Sequence, residues 1–165
     1  MKSASRGSAT YEAFLDTNFL LDCVLPGRPE HGAAQTIKGL VDVGLIEGVV
    51  SACSLKDAYY ILTKQAGEAR AREVVRDCLK SYSAEPLDQE ACFTSAYSDE
   101  PDFEDGCIRA MAERAGVDFI ITRDRAAFVR STIKTFSPAD SSVCFRSRRS
   151  KTATPGTAHG VIVLL

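Results

Sequence analysis

Residues Tyr11–Leu25 read YEAFLDTNFLLDCVL. The segment EAFL has the make-up of a short strand and ends on a carboxylate, Asp16, with Thr17 and Asn18 directly after it. From Thr17 to Leu25, Phe19, Leu20, Cys23 and Val24 recur at the spacing of one helical face. A strand that turns at once into a helix is the first half of a strand–helix–strand unit, and here an acid stands at the junction.

The same alternation continues outward. PGRP at Pro26–Pro29 stops the helix. A second helix is expected from about Glu30 to Val43, with Ala33, Ala34, Ile37, Leu40 and Val41 on its buried side and Gly44 as its C-terminal glycine. IEGVVS supplies a second strand, and helices follow at Leu55–Gln65 and Glu68–Tyr82. AEPL reads as a third strand, DQEACFTSAYS and DFEDGCIRAMAERAG as helices, DFIIT as a fourth strand and IKTF as a fifth. Strands alternating with helices predict an α/β layered fold with a mostly parallel sheet. Ligands of such sheets bind at the carboxyl ends of the strands.

Asp16 belongs to that edge. So does Asp124, because FIITRDRAAF again runs from apolar strand to Thr122, Arg123 and an acid. Either Asp alone is equally well read as a helix N-cap. Two further acids weigh against capping alone. Asp57, in SACSLKDAYYILTK, is placed in the first turn of the helix after the second strand, near the same edge. Among Glu100, Asp102, Glu104 and Asp105, it is Asp105 that falls in phase with Ile108, Ala112 and Ala115, while Glu104 turns away and Asp102 can share the Asp105 face. Inward carboxylates at four separate edge positions repel one another unless a cation lies between them. A hard divalent ion such as Mg²⁺ or Mn²⁺ takes all-oxygen ligands of this kind. The chemistry that follows is metal-assisted phosphodiester hydrolysis.

These stretches resemble PIN domains, and within that family the VapC-type toxin ribonucleases and their close bacterial relatives. The resemblance rests on FLDTN (Phe14–Asn18), GVVSACSLKDAYYILTK (Gly48–Lys64), DFEDGCIRAMAERAGVDFIITRD (Asp102–Asp124) and the trailing IKTFSPAD, in that order. It implies a three-layer α/β/α sandwich and a metal-dependent endoribonuclease, the toxin of a toxin–antitoxin pair, with Mg²⁺ or Mn²⁺ as cofactor. It implies a metal site at Asp16, Asp105 and Asp124, with Asp57 as the fourth catalytic acid. Thr17, Asn18 and Thr122 would orient carboxylates or a bound water, and Asp102 would stand behind them as a supporting acid. RNA is the implied substrate, a small antitoxin the implied partner, and a homodimer the implied assembly. The family commonly places Glu where this chain has Asp57, whose carboxylate reaches one methylene less far.

Composition sets limits on these readings. In 165 residues with a formal charge of −2, the chain as a whole does not attract nucleic acid, so an RNA-binding surface has to be local. The six cysteines lack paired metal-ligand spacing and read as reduced core thiols, Cys107 included; two histidines are too few for a histidine metal site. No apolar run approaches a membrane span, and a cytoplasmic location is expected. Residues 1–10 read as a flexible leader, 11–140 as the nuclease domain and 141–165 as a basic, disordered tail. In that tail Arg146, Arg148, Arg149 and Lys151 offer a second route to RNA.

Smaller choices stay open. Arg123 and Arg125 serve equally well as phosphate contacts or solvated loop charges. Tyr59 and Tyr60, beside Ile61 and Leu62, read as core or dimer contacts before base-stacking platforms, and the apolar faces at Phe19, Leu20 and Tyr59 carry the dimer expectation. The rival to the nuclease is a catalytically impaired PIN-like module that binds RNA or protein. An Asp-nucleophile phosphatase built on FLDTN is disfavoured, because the acid it needs two residues on is Asn18.

Overall fold

The computed structural model describes residues 11–141. The leader and the basic tail from residue 142 onward lie outside the described residues. Strand β1 (Tyr11–Leu15) leads into helix α1 (Thr17–Val24), and α2 (His31–Asp42) returns the chain to β2 (Ile46–Ser51). Helices α3 (Ala52–Ala66) and α4 (Glu68–Ser81) precede β3 (Tyr82–Glu85). Then come α5 (Gln89–Ala96), α6 (Phe103–Ala115), β4 (Phe119–Ile121), a 3₁₀ turn (Ala126–Phe128) and β5 (Lys134–Phe136).

All five strands are parallel, in the order β3-β2-β1-β4-β5. The chain first builds outward from β1 through β2 to β3, then crosses back to place β4 on the other side of β1. The switch point of the topology therefore lies between β1 and β4, where a crevice opens at the strands' carboxyl ends. Leu15 pairs with Ile121 across that boundary, and the Asp16 amide donates to the Ile121 carbonyl at 3.1 Å. Asp16 and Thr122, the next residues along their strands, are thereby held side by side.

Strand alternation builds both cores. Ala13, Leu15, Val50, Phe119 and Ile121 face one way, against α1, α2, α3 and α4. Phe14, Val49 and Ile120 face the other, against α5, α6 and the 3₁₀ turn. This is the expected three-layer sandwich. Phe19 and Leu20 are buried within this single chain, so they are not available to a second copy and the dimer expectation loses that part of its basis. Tyr59 also packs on the core, whereas Tyr60 is exposed beneath Lys64. Cys107 is buried, as expected, and the cysteines among the described residues are free thiols.

Element limits moved where a side chain captured a backbone donor. Ser51 accepts from the Cys53 amide at 3.1 Å and starts α3 at Ala52, three residues earlier than the apolar pattern indicates. Asp57 is consequently the sixth residue of that helix, a turn beyond its expected position. Gly44, at φ 72°, closes α2 as expected. Helices α5 and α6 approach closely at Gly106, where an added Cβ would collide with the Ser95 hydroxyl, and Ser95 Oγ donates to the Phe103 carbonyl at 2.7 Å. That contact fixes the first turn of α6 and with it Asp105.

One buried ion pair in this region was not legible from the chain. Glu100, expected simply to precede α6, has a side chain only 2% exposed and lies 2.9 Å from Arg109, with Arg130 at 3.5 Å. Removing one partner of a buried pair leaves the other charge uncompensated. Arg109→Ala is therefore expected to destabilise the fold by about 3 kcal/mol, read as a lower urea midpoint; an unchanged midpoint would show that Arg130 alone satisfies Glu100.

Candidate active site

Asp16 ends β1 at the switch-point crevice and is 6% exposed. It occupies the N-cap position of α1 yet makes no capping hydrogen bond with its side chain. Instead its Oδ2 accepts from Thr122 Oγ1 at 2.9 Å. Burial pushes its carboxyl above the ordinary range, and the hydrogen bonds from Thr122 and Asn18 oppose that shift only in part. Thr122 serves two acids at once, because the same hydroxyl accepts from the Asp124 amide at 3.1 Å. Asp124 in turn holds the Ala127 amide at 3.2 Å, capping the turn that follows β4. Thr17 stands beside this group with a buried hydroxyl that lacks a hydrogen-bond partner.

Asp105 comes from the opposite layer. Its carboxyl is pushed up to about 6, first by burial and then by the fields of Asp102, Asp16, Asp124 and Glu104. The structure thus brings Asp16, Asp105 and Asp124 into one electrostatic neighbourhood from three separate elements. Asp102 proves to be the N-cap of α6, accepting from the Glu104 and Asp105 amides at 2.8 and 3.2 Å. Its negative field is still felt at Asp105. Capping, the alternative for each acid in the sequence, is thus the role of Asp102 and a secondary role of Asp124.

Asp57 stands apart. It pairs with the exposed Lys56 at 2.9 Å and is itself partly exposed. Glu104, expected to turn away, is exposed, yet its carboxyl is raised by partial burial and by the fields of Asp57, Asp102 and Asp16. Sequence phase alone missed it, because a first-turn residue off the buried stripe can still lean over the rim of a cleft.

The donors are all oxygens, one of them on a nearly fully buried carboxylate, and Asp105 is raised by burial and then by the acids around it. By donor chemistry they fit a hard divalent cation. Among the described residues no three His, Cys, Asp or Glu side chains are already gathered into a closed ligand set.

Sequence reading also passed over Asp22 and Arg28. Asp22 is fully buried on α1, 2.5 Å from Arg28 and 3.6 Å from Arg123. Arg28 also donates to Asn18 Oδ1 at 2.8 Å. The available signal was a carboxylate inside an apolar stripe, between Leu21 and Cys23. Arg123 and Arg125 accordingly separate: Arg123 leans toward buried Asp22, and Arg125 pairs with exposed Asp140 at 2.8 Å.

Comparison with solved structures agrees with this architecture. VapC20 from Mycobacterium tuberculosis, a sarcin-ricin loop cleaving toxin, is 18% identical over 66% of this chain and 86% of its own, with a TM-score of 0.55. A toxin–antitoxin complex from Klebsiella pneumoniae gives 21% identity, coverage of 76% and 97%, and a TM-score of 0.57. PAE2754 from Pyrobaculum aerophilum gives 17%, 86% and 94%, with a TM-score of 0.60. No curated protein sequence matches the chain. At these identities the likeness shows the fold; the family is shown by a PIN domain profile that matches residues 12–126, a span from β1 to the 3₁₀ turn that takes in all the acids of the crevice. The chain belongs to the PIN domain family.

Proposed function

We propose that this protein is a metal-dependent endoribonuclease that hydrolyses RNA phosphodiester bonds and acts as the toxin of a toxin–antitoxin pair. The observation that carries the reading is the shared field of Asp16, Asp105 and Asp124 at the sheet's switch point, with Asp105 raised to about 6. Mg²⁺ or Mn²⁺, held by these three carboxylates, would supply Lewis acidity at the phosphoryl oxygens and an activated water. Thr122 holds Asp16 and the Asp124 backbone in fixed relation, Thr17 offers a free buried hydroxyl beside them, and Asn18 steadies Asp16. Asp57 and Glu104 at the rim extend the negative field, with Asp57 as the fourth catalytic acid.

The toxin reading draws on the VapC20 and Klebsiella pneumoniae structures, which are a toxin and a toxin–antitoxin complex. A small antitoxin is accordingly the proposed partner, a homodimer the proposed assembly and the cytoplasm the proposed site of action, with residues 11–140 as the nuclease unit and the tail as an appendage to it. Among the described residues no helix is long and apolar enough to cross a membrane. The second reading, a PIN-like module that binds without cutting, is favoured by one observation: Asp57 is engaged by Lys56 and stands apart from the buried acids. Incubating the protein with structured RNA, with and without EDTA, separates the two. Cleavage that EDTA abolishes is the expected result; binding without cleavage in either condition would establish the module.

A further inference from the structure

Two guanidinium groups border the acid cluster, and one buried carboxylate holds both. Asp22 is 0% exposed, and it meets Arg28 at 2.5 Å through Oδ1 and Arg123 at 3.6 Å through the same oxygen. Its Oδ2 is buried without a hydrogen-bond partner. Arg28 comes from the turn between α1 and α2, and Arg123 from the residue that separates Thr122 from Asp124. His31 Nδ1 donates to the Asp22 carbonyl at 2.7 Å and closes the turn that carries Arg28. The network joins the acid cluster directly: Arg28 donates to Asn18, and the Asn18 side chain acts on Asp16.

The burial of Asp22 is costly unless cations accompany it, and one cation would neutralise it. The chain supplies two. One carboxylate against two guanidiniums leaves a net positive charge at the lip of an otherwise negative crevice. The arginine side chains keep 23% and 34% of their surface exposed, so each has donors left beyond its contact with Asp22. Guanidinium forks are suited to phosphate oxygens, and a fork already fixed by a carboxylate loses less side-chain freedom on binding. A phosphodiester chain entering a crevice of carboxylates needs such a counter-charge beside the reacting phosphate, and the net-acidic chain offers no long-range attraction in its place.

We propose that Arg28 and Arg123, held by Asp22, form a phosphodiester clamp that seats an RNA backbone phosphate next to the scissile one. Asp22 is a positioning residue here, acting through the two arginines. The proposal rests on the nuclease reading of the acid site, and it is tested by binding in EDTA, where no cleavage is required. The probe is a short fluorescently labelled single-stranded RNA, followed by anisotropy with the full-length protein over a series of salt concentrations.

Arg28→Gln and Arg123→Gln are each expected to weaken binding about tenfold, the loss of one charge-assisted contact, and to lower the slope of log affinity against log salt by roughly 0.7. Asp22→Asn gives the opposite sign to a pure charge effect. Removing a negative charge would tighten RNA binding if the arginines were merely local positive charge, whereas release of the clamp weakens it. Wild-type affinity and slope in both folded arginine variants would overturn the proposal even if Asp22→Asn fails to fold. Cleavage of the same RNA by the wild type with Mn²⁺ reports on the acid site separately. A protein that cuts RNA while both arginine variants bind normally overturns the clamp alone. One that does not cut, with binding still lost in the variants, overturns the nuclease reading and leaves the clamp standing.

Discussion

Asp16→Asn is expected to abolish RNA cleavage, by about a thousandfold or more, in a protein that still folds. The substitution keeps an amide oxygen that can accept the hydrogen bond from Thr122 Oγ1, so the junction between β1 and β4 retains its tie. What it removes is the charge. Loss of a charged ligand from a metal-assisted phosphoryl site costs several kcal/mol of transition-state stabilisation, and each 1.36 kcal/mol is a factor of ten. Stability without metal should not fall, because burial already raises the Asp16 carboxyl and a neutral amide is cheaper to bury than a carboxylate facing other acids. The measurements are cleavage of a labelled RNA and the thermal midpoint in EDTA. A folded variant that cuts at the wild-type rate would remove Asp16 from the site. Asp105→Asn and Asp124→Asn are expected to lose activity in the same way.

The second large effect is on the protein itself. An ion that binds the folded acids and not the unfolded chain stabilises the fold by linkage, about 2.7 kcal/mol at a free concentration a hundred times its Kd. For a domain of this size that corresponds to roughly 5–10 °C in the thermal midpoint. Mn²⁺ is therefore expected to raise Tm, EDTA to reverse the rise, and Asp16→Asn to blunt it, because the variant has both less repulsion to relieve and one ligand fewer. A midpoint indifferent to millimolar Mn²⁺ would argue that the acids do not hold a divalent ion.

What the chain declares by itself is local. The unbroken apolar runs Ala13-Phe14-Leu15 and Phe119-Ile120-Ile121 assign strands that bury both faces, and the period of Phe19, Leu20 and Cys23 assigns a helix directly after Asp16. Those periods follow from backbone geometry, so residues a few positions apart suffice to read them, and a strand–helix alternation implies parallel strands with a crevice at their carboxyl ends. The positions of Asp16 and Asp124 were legible for that reason.

Which acids meet was decided elsewhere. Thr122 and Asp16 are 106 residues apart and touch because β4 crosses back beside β1. Asp102 and Asp105 are both first-turn candidates until one accepts the free amides of α6 and the other does not. Asp57 shifted by a turn because the Ser51 hydroxyl captured a single backbone donor. Phe19 and Leu20 present the same pattern whether they face a second copy or their own sheet, and packing under α2 and α3 settled that they are core. Asp22 joins Arg28 from its own turn to Arg123 from the end of β4, a contact no spacing announces. Short-range sterics and periodicity fix the elements, while burial of charge depends on what the closed fold brings within a few ångströms; the first is written along the chain and the second arises when the layers close.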